Sequence, residues 1–263
     1  MSVYKQGSIG LFFRGDPALK GYWRLDGRAV DESGNGNHGT TISGTILVPA
    51  RFGLGYKFIN ETDNIQIPDN ASLDISGNFT IFSWLKVSEY TGEDMAIAKG
   101  AYPNYNYRLE ARTGHFQIAA GIGGVHVEAD SSAFPPGRWH FVCGVYDGSA
   151  LKIYVDGKFE ASSAASGAVS VNADPIYLGK YEGTDTLGYK GILCEFAIFS
   201  RDLDKNEISQ YYRWATGNPK LTVTYTVPSG PANLKSYNGL AIASMKSIMG
   251  LGIADIKSVN GLE

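Results

Sequence analysis

The chain has two cysteines and four histidines among its 263 residues, and no apolar run near the roughly 20 residues that cross a bilayer. Each absence removes a class of function. Cys143 and Cys194 sit in separate apolar, strand-like runs, so inert buried thiols and a single disulfide both remain open, and neither identifies a compartment. Lysine and arginine total 23 against 26 acids, for a net charge of −3, and nowhere do they cluster. A broad phosphate-neutralising surface is missing, so nucleic acid is not an expected partner. His38, His115, His126 and His140 lie scattered without metal-ligand spacing, and neither a Gly-x-Ser-x-Gly elbow nor a His-Glu-x-x-His helix occurs. Glycosidases need two carboxylates about 5 to 9 Å apart, often as Glu-x-Asp-x-Glu on one strand, and no such run exists here. Catalysis is therefore not expected. The apolar patch from Ile9 to Phe13 is ended by Arg14 and Asp16, well short of a signal-peptide core, so the expectation is a soluble product without Sec-type export.

What is abundant is glycine, at 33, and tyrosine, at 16, with apolar runs only a few residues long. That mixture predicts many short strands joined by tight turns. Alternating runs occupy Asn64 to Pro68, Phe79 to Val87, Tyr107 to Ala111, His115 to Ala120, Val125 to Ala129, Trp139 to Tyr146, Leu151 to Val155, Ile176 to Leu178 and Ile192 to Phe199. Asp147-Gly148 and Asp156-Gly157 supply the positive φ of tight hairpins and predict a meander continuing into Lys158 to Ala161. One helix is expected after the strands, capped by Asp204 with Glu207 three residues on, presenting Ile208, Tyr211, Tyr212 and Ala215, and stopped at Gly217. The domain plan is a lead-in over 1–20, an all-β domain over 21–217, a connector over 218–233 marked by Pro219, Pro228, Gly230 and Pro231, and a tail over 234–263. The tail repeats Lys-Ser-x-x-Gly-Leu at a spacing of 11 residues, as Lys235 to Leu240, Lys246 to Leu251 and Lys257 to Leu262. Gly239, Gly250 and Gly261 disfavour a helical repeat by about 1 kcal/mol each, so strand-and-turn units are expected. So short a repeat buries little by itself, which predicts that Leu240, Leu251, Leu262 and the flanking lysines and glycines serve anchoring or homo-oligomerisation.

A family resemblance rests on motifs in order: Tyr22-Trp23-Arg24-Leu25-Asp26, the loop Asp31 to Gly39, Phe58 to Pro68, Phe79 to Trp84, Trp139 to Val142, Tyr146 to Gly148, Ile153 to Gly157 and Gly191 to Phe196. Together they resemble the laminin-G-like, concanavalin A-type jelly roll of bacteria and viruses over nearly the whole of 21–217. The resemblance implies an all-β fold of two packed antiparallel sheets, with ligand sites in loops or on a concave face. It does not choose a ligand, because one fold hosts many functions.

Two candidate sites follow. The Asp31 to Gly39 loop is rich in oxygen donors of the kind calcium prefers. The family often holds a structural calcium there, and the resemblance implies Asp31, Asn35, Asn37 and Glu195 as its ligands; a metal-free Asx-turn loop would use the same residues. The second is Tyr102-Pro-Asn-Tyr-Asn-Tyr107, where Tyr102, Tyr105 and Tyr107 could stack on sugar rings while Asn104 and Asn106 take hydroxyls; the alternative is a tyrosine-covered sandwich edge. The related pentraxin arrangement implies that Glu182 and Asp185 share its face. Trp23, Trp84, Trp139 and Trp214 are expected to pack rather than to bind sugar, and the glycosylation triplets at Asn60, Asn70 and Asn78 are expected to be fortuitous. A recognition fold without an export signal suggests a virion protein, made in the host cytoplasm, and the tail resembles terminal segments of phage structural proteins. The expected function is thus a non-catalytic decoration, head-fibre or tail-fibre protein, mounted on other virion proteins through its tail and able to bind surface glycans. A cellular glycan-binding or adhesion protein, extracellular or at the cell surface, is the alternative, with a polysaccharide-active enzyme behind it.

Overall fold

The alternating runs of the sequence are strands in the computed structural model, which describes residues 12–13, 15–102, 105–182, 187–217, 236–237, 240–241, 247–248 and 251–252. In chain order the first unit, Met1–Gly217, carries β1 (Leu19–Trp23), β2 (Thr41–Ser43), β3 (Ile46–Ala50), β4 (Gly53–Phe58), β5 (Asn64–Ile67), β6 (Phe79–Val87), β7 (Glu93–Lys99), β8 (Tyr107–Arg112), β9 (His115–Ile122), β10 (Val125–Ala133), β11 (His140–Tyr146), β12 (Ala150–Val155), β13 (Lys158–Ala164), β14 (Ile176–Leu178), β15 (Gly191–Phe199) and the helix α1 (Lys205–Thr216). They form two antiparallel sheets. One runs β13-β12-β11-β6-β15-β4-β3 with β1 added alongside β15; the other runs β10-β9-β8-β7-β14-β5-β2. This is the jelly-roll sandwich that the motif order implied.

Period-two alternation sends one set of side chains from each sheet into a shared core. Phe79, Ile81 and Leu85 of β6 meet Tyr107 and Leu109 of β8 and Phe116 and Ile118 of β9 there. The other face of the eight-stranded sheet is apolar too: Phe82, Trp84, Phe141, Cys143, Tyr154 and Phe199 form a second cluster, which α1 covers with Ile208 and Tyr211. This accounts for β6 and β11 being buried almost throughout. The helix starts where Asp204 and Glu207 close a reciprocal capping box and ends at Gly217. No described helix is long and apolar enough to cross a membrane.

Both cysteines are buried free thiols, pushed up in pKa by burial, which removes the disulfide alternative. Trp23 and Trp84 are core residues, and Trp139 and Trp214 pack partly buried against the second cluster. The Asp-Gly turns form as read, with Gly148 at φ 85°, Asp156 at 52° and Gly157 at 75°. The chain also folds as strand at β1, β2, β3, β4 and β7, which lie outside the alternating runs of the sequence.

A second unit spans Asn218–Glu263. Its described strands, β16 (Ser236–Tyr237) with β17 (Leu240–Ala241) and β18 (Ser247–Ile248) with β19 (Leu251–Gly252), pair antiparallel. Each pair falls at the same place in its repeat, so the two described copies share one antiparallel pairing. Lys235, Gly239, Lys246, Gly250, Lys257, Gly261 and Leu262 lie outside the described residues.

Candidate functional site

Among the described residues no helix covers the outer face of the seven-stranded sheet, which is polar. On β8 the core takes Tyr107, Leu109 and Ala111, and alternation therefore turns Arg108, Glu110 and Arg112 outward. Antiparallel register aligns Glu110 with Gln117 of β9, and Gln117 with Asp130 of β10. The row is hydrogen-bonded: Arg108 Nη2 donates to Gln117 Oε1 at 3.0 Å, and Gln117 Nε2 donates to Asp130 Oδ1 at 2.6 Å. Arg112 pairs with Glu93 of β7 and lies 3.9 Å from Glu110 and 4.0 Å from Glu128, while His126 Nε2 sits 3.0 Å from Glu128.

Glu110 is fully buried in this row. Its Oε1 stands 3.0 Å from Arg108 Nη2, but off a hydrogen-bonding line, so the contact is an ion pair and both carboxylate oxygens lack a hydrogen bond. Burial raises its pKa to about 7, against the opposing pull of Arg108 and Arg112.

An aromatic rim stands at one end of this row. Tyr105 is buried, with its ring 6.2 Å from Tyr102, 5.4 Å from His126 and 6.3 Å from Tyr181 between centroids. The Arg108 guanidinium lies 4.6 Å from the Tyr105 ring centre and donates to its hydroxyl at 2.8 Å. Burial pushes the Tyr105 phenol far up, so it stays a neutral hydroxyl. Tyr102 is 68% exposed and is braced by the Tyr181 hydroxyl, which accepts from its backbone N–H. The geometry is an exposed ring held on a buried aromatic and cationic base, as stacking on a sugar ring requires.

The expected ligand residues therefore separate. Tyr102 and Tyr105 belong to the rim, the first as its accessible face and the second as its support. Asn106 is instead a buried latch, accepting from Ile75 N and donating to Ile75 O and Ser170 O, and Tyr107 is a core residue donating to Leu73 O. Neither can reach a ligand. Glu182 lies against Tyr177 of β14, whose phenol burial and that carboxylate together raise. Asn104 and Asp185 fall outside the described residues. Tyr181, from the loop expected to share this face, does reach Tyr102, whereas Arg108, Glu110, Gln117 and His126 were not expected there; the available signal was the alternation of charged and apolar residues along Tyr107–Arg112.

The Asp31 to Gly39 loop does bring Asp31, Asn35 and Asn37 together, and the residues present do not fit a cation. Asp31 Oδ1 accepts from Tyr22 N and Ser33 N and its Oδ2 from Asn37 N, so backbone N–H groups point at both oxygens. The side-chain amides of Asn35 and Asn37 donate to Leu19 O and Lys20 O, and Asn37 O accepts from Trp23 Nε1. Glu195 accepts instead from the Tyr22 hydroxyl, at the far end of the residue whose backbone meets Asp31. It occupies a β-bulge at φ 57° where β15 changes partners. No group of three or more His, Cys, Asp or Glu among the described residues could hold a metal ion. Calcium at a hundred times its Kd would add about 2.7 kcal/mol to stability. We expect instead that neither calcium nor EDTA moves the melting temperature by more than about 1 °C.

A family model described as the Concanavalin A-like lectin/glucanases superfamily matches residues 60–209. Among solved structures, the binding domain of Paraclostridial Mosquitocidal Protein 1 aligns with a TM-score of 0.64 and 17% identity, over 74% of this chain and 52% of that one. Domain 4 of AbnA, an extracellular arabinanase from Geobacillus stearothermophilus solved with arabinotriose, aligns with a TM-score of 0.60 and 19% identity, over 74% of this chain and 98% of that one. The botulinum neurotoxin serotype D ligand-binding domain, solved with N-acetylneuraminic acid, aligns with a TM-score of 0.62 and 18% identity, over 74% and 50%. The chain thus spans about half of the toxin binding domains, and identities this low show the fold alone. No curated protein matches the sequence.

Proposed function

The chain belongs to the Concanavalin A-like lectin/glucanases superfamily, and from that premise we propose a non-catalytic, glycan-binding display domain that holds sugar on the Tyr102 rim. The observation that carries this reading is the Tyr102 ring, 68% exposed yet fixed by Tyr105, His126 and Tyr181. A large aromatic left in solvent on a rigid base suits the C–H face of a sugar. The sugars bound in the arabinanase-domain and neurotoxin-domain structures support the class of ligand. The non-catalytic reading is supported by the carboxylates nearby: Glu110 is sealed from solvent, and Glu93 and Glu128 flank Arg112.

Tyr102→Ala should weaken binding of the best glycan from an array about tenfold, roughly 1.4 kcal/mol, at an unchanged melting temperature. Equal affinity of variant and wild type in titration calorimetry would refute the site.

The display role is read as that of a phage-type virion component, a decoration or fibre protein, with the 11-residue hairpin repeat as its attachment and the jelly roll outward. The repeat supports this because isolated two-residue hairpins are marginal in water and gain from pairing with other chains. Truncation after Gly217 should leave a folded monomer unable to assemble; retained assembly in size-exclusion chromatography would exclude the role.

A further inference from the structure

We infer that the Tyr102 face selects uncharged saccharides and rejects those ending in a carboxylate sugar, because its described cations are already engaged and its exposed carboxylates are acidic. This rests on the glycan reading above. Recognition of a sugar carboxylate calls for a guanidinium or ammonium with donors to spare. Arg108 has none that a ligand can reach: it is buried, Nε included, one terminal nitrogen serves the Tyr105 hydroxyl, and the other serves Gln117 and faces Glu110. Arg112 is ringed by Glu93, Glu110 and Glu128 and also donates to Gln117. His126 faces Glu128, His115 faces Asp130, and Lys180 lies over the Tyr177 ring.

The groups that do meet solvent are carboxylates. The side chains of Glu93, Glu128 and Asp130 are 41%, 43% and 48% exposed. The segments 103–104 and 183–186 contain no lysine or arginine that could reverse the balance. An anionic sugar stacked on Tyr102 would sit near Glu128 through His126, whose ring is 5.8 Å from that of Tyr102. Hydroxyls meet no such opposition, since carboxylates accept from them.

The test is titration of the full chain with one oligosaccharide in two forms, with and without a terminal sialic acid, at low salt. The expected result is at least about tenfold tighter binding of the desialylated form. That ratio should fall toward one in the Glu93→Gln/Glu128→Gln double variant and at 0.5 M salt, where about 4 Å of screening length hides the acids. Equal or tighter binding of the sialylated form would overturn the selectivity and leave glycan binding standing. If neither form of any array glycan bound, the glycan reading itself would fall, and the selectivity with it.

Discussion

Lys99→Met should cost about 3 kcal/mol of folding stability and lower the melting temperature by roughly 6 to 12 °C. Lys99 ends β7 with its side chain wholly out of solvent, and its ammonium gathers two segments, 69–74 and 172–174. Nζ donates to Asp69 Oδ1 at 2.6 Å and lies 2.9 Å from Asp74 Oδ1 on one side. On the other it donates to Asn172 O and Asp174 O, both at 2.8 Å. Methionine fills the same volume but leaves two carbonyls and Asp69 without their donor and Asp74 without its counter-charge. Removing one member of a buried pair costs about 3 to 5 kcal/mol. The lower figure applies because Asp69 and Asp74 are about a quarter to a third exposed and can turn to water. Urea unfolding measures it, and a loss below about 1 kcal/mol would show the cluster to be incidental.

Glu110→Gln should do the opposite, and only at the right pH. The folded-state pKa of about 7 lies above the ordinary 4.5 because burial disfavours the charge more than Arg108 and Arg112 favour it. The folded chain therefore holds a proton that the unfolded chain releases, so stability declines as pH rises from about 4.5 to about 7. At about 1.4 kcal/mol for each pH unit between those values, the penalty reaches about 3 kcal/mol at pH 8. Glutamine keeps the shape without the charge. The variant should match wild type at pH 4 and exceed it by about 2 to 3 kcal/mol at pH 8. A difference constant with pH would mean that Glu110 does not titrate in this range.

Much of this architecture was legible because β6 and β11 are long apolar runs, β8 alternates, and Asp-Gly pairs fix the β11–β12 and β12–β13 hairpins. Of the strands outside those runs, β2, β3 and β7 had a physical reason to escape notice. β2 is three residues long; β3 is a sheet edge whose Ile46 and Leu47 are exposed and which contains Pro49, so its pattern follows neither face. β7 carries Glu93 and Asp94 at its start and a bulge at Met95, which breaks the period. At the site, composition pointed to the tyrosine-rich loop but could not say which ring faces solvent. The turn from β7 into β8 decides that: Asn106 N donates to Lys99 O and Tyr105 O accepts from Gly121 N, burying both side chains while Tyr102 stays exposed. The oxygen-rich loop at Asp31 shows the converse difficulty: a calcium site and an Asx turn use the same residues, and the direction of three backbone N–H groups separates them.

Hydrogen exchange of the full chain, with and without its best-binding uncharged glycan, tests the central claim most directly. The account predicts added protection at residues 100–108 and 126–128 around the Tyr102 rim, with the 31–39 loop and the 71–78 segment unchanged. Protection confined to either of those two segments, or no glycan-dependent protection in the sandwich at all, would contradict it.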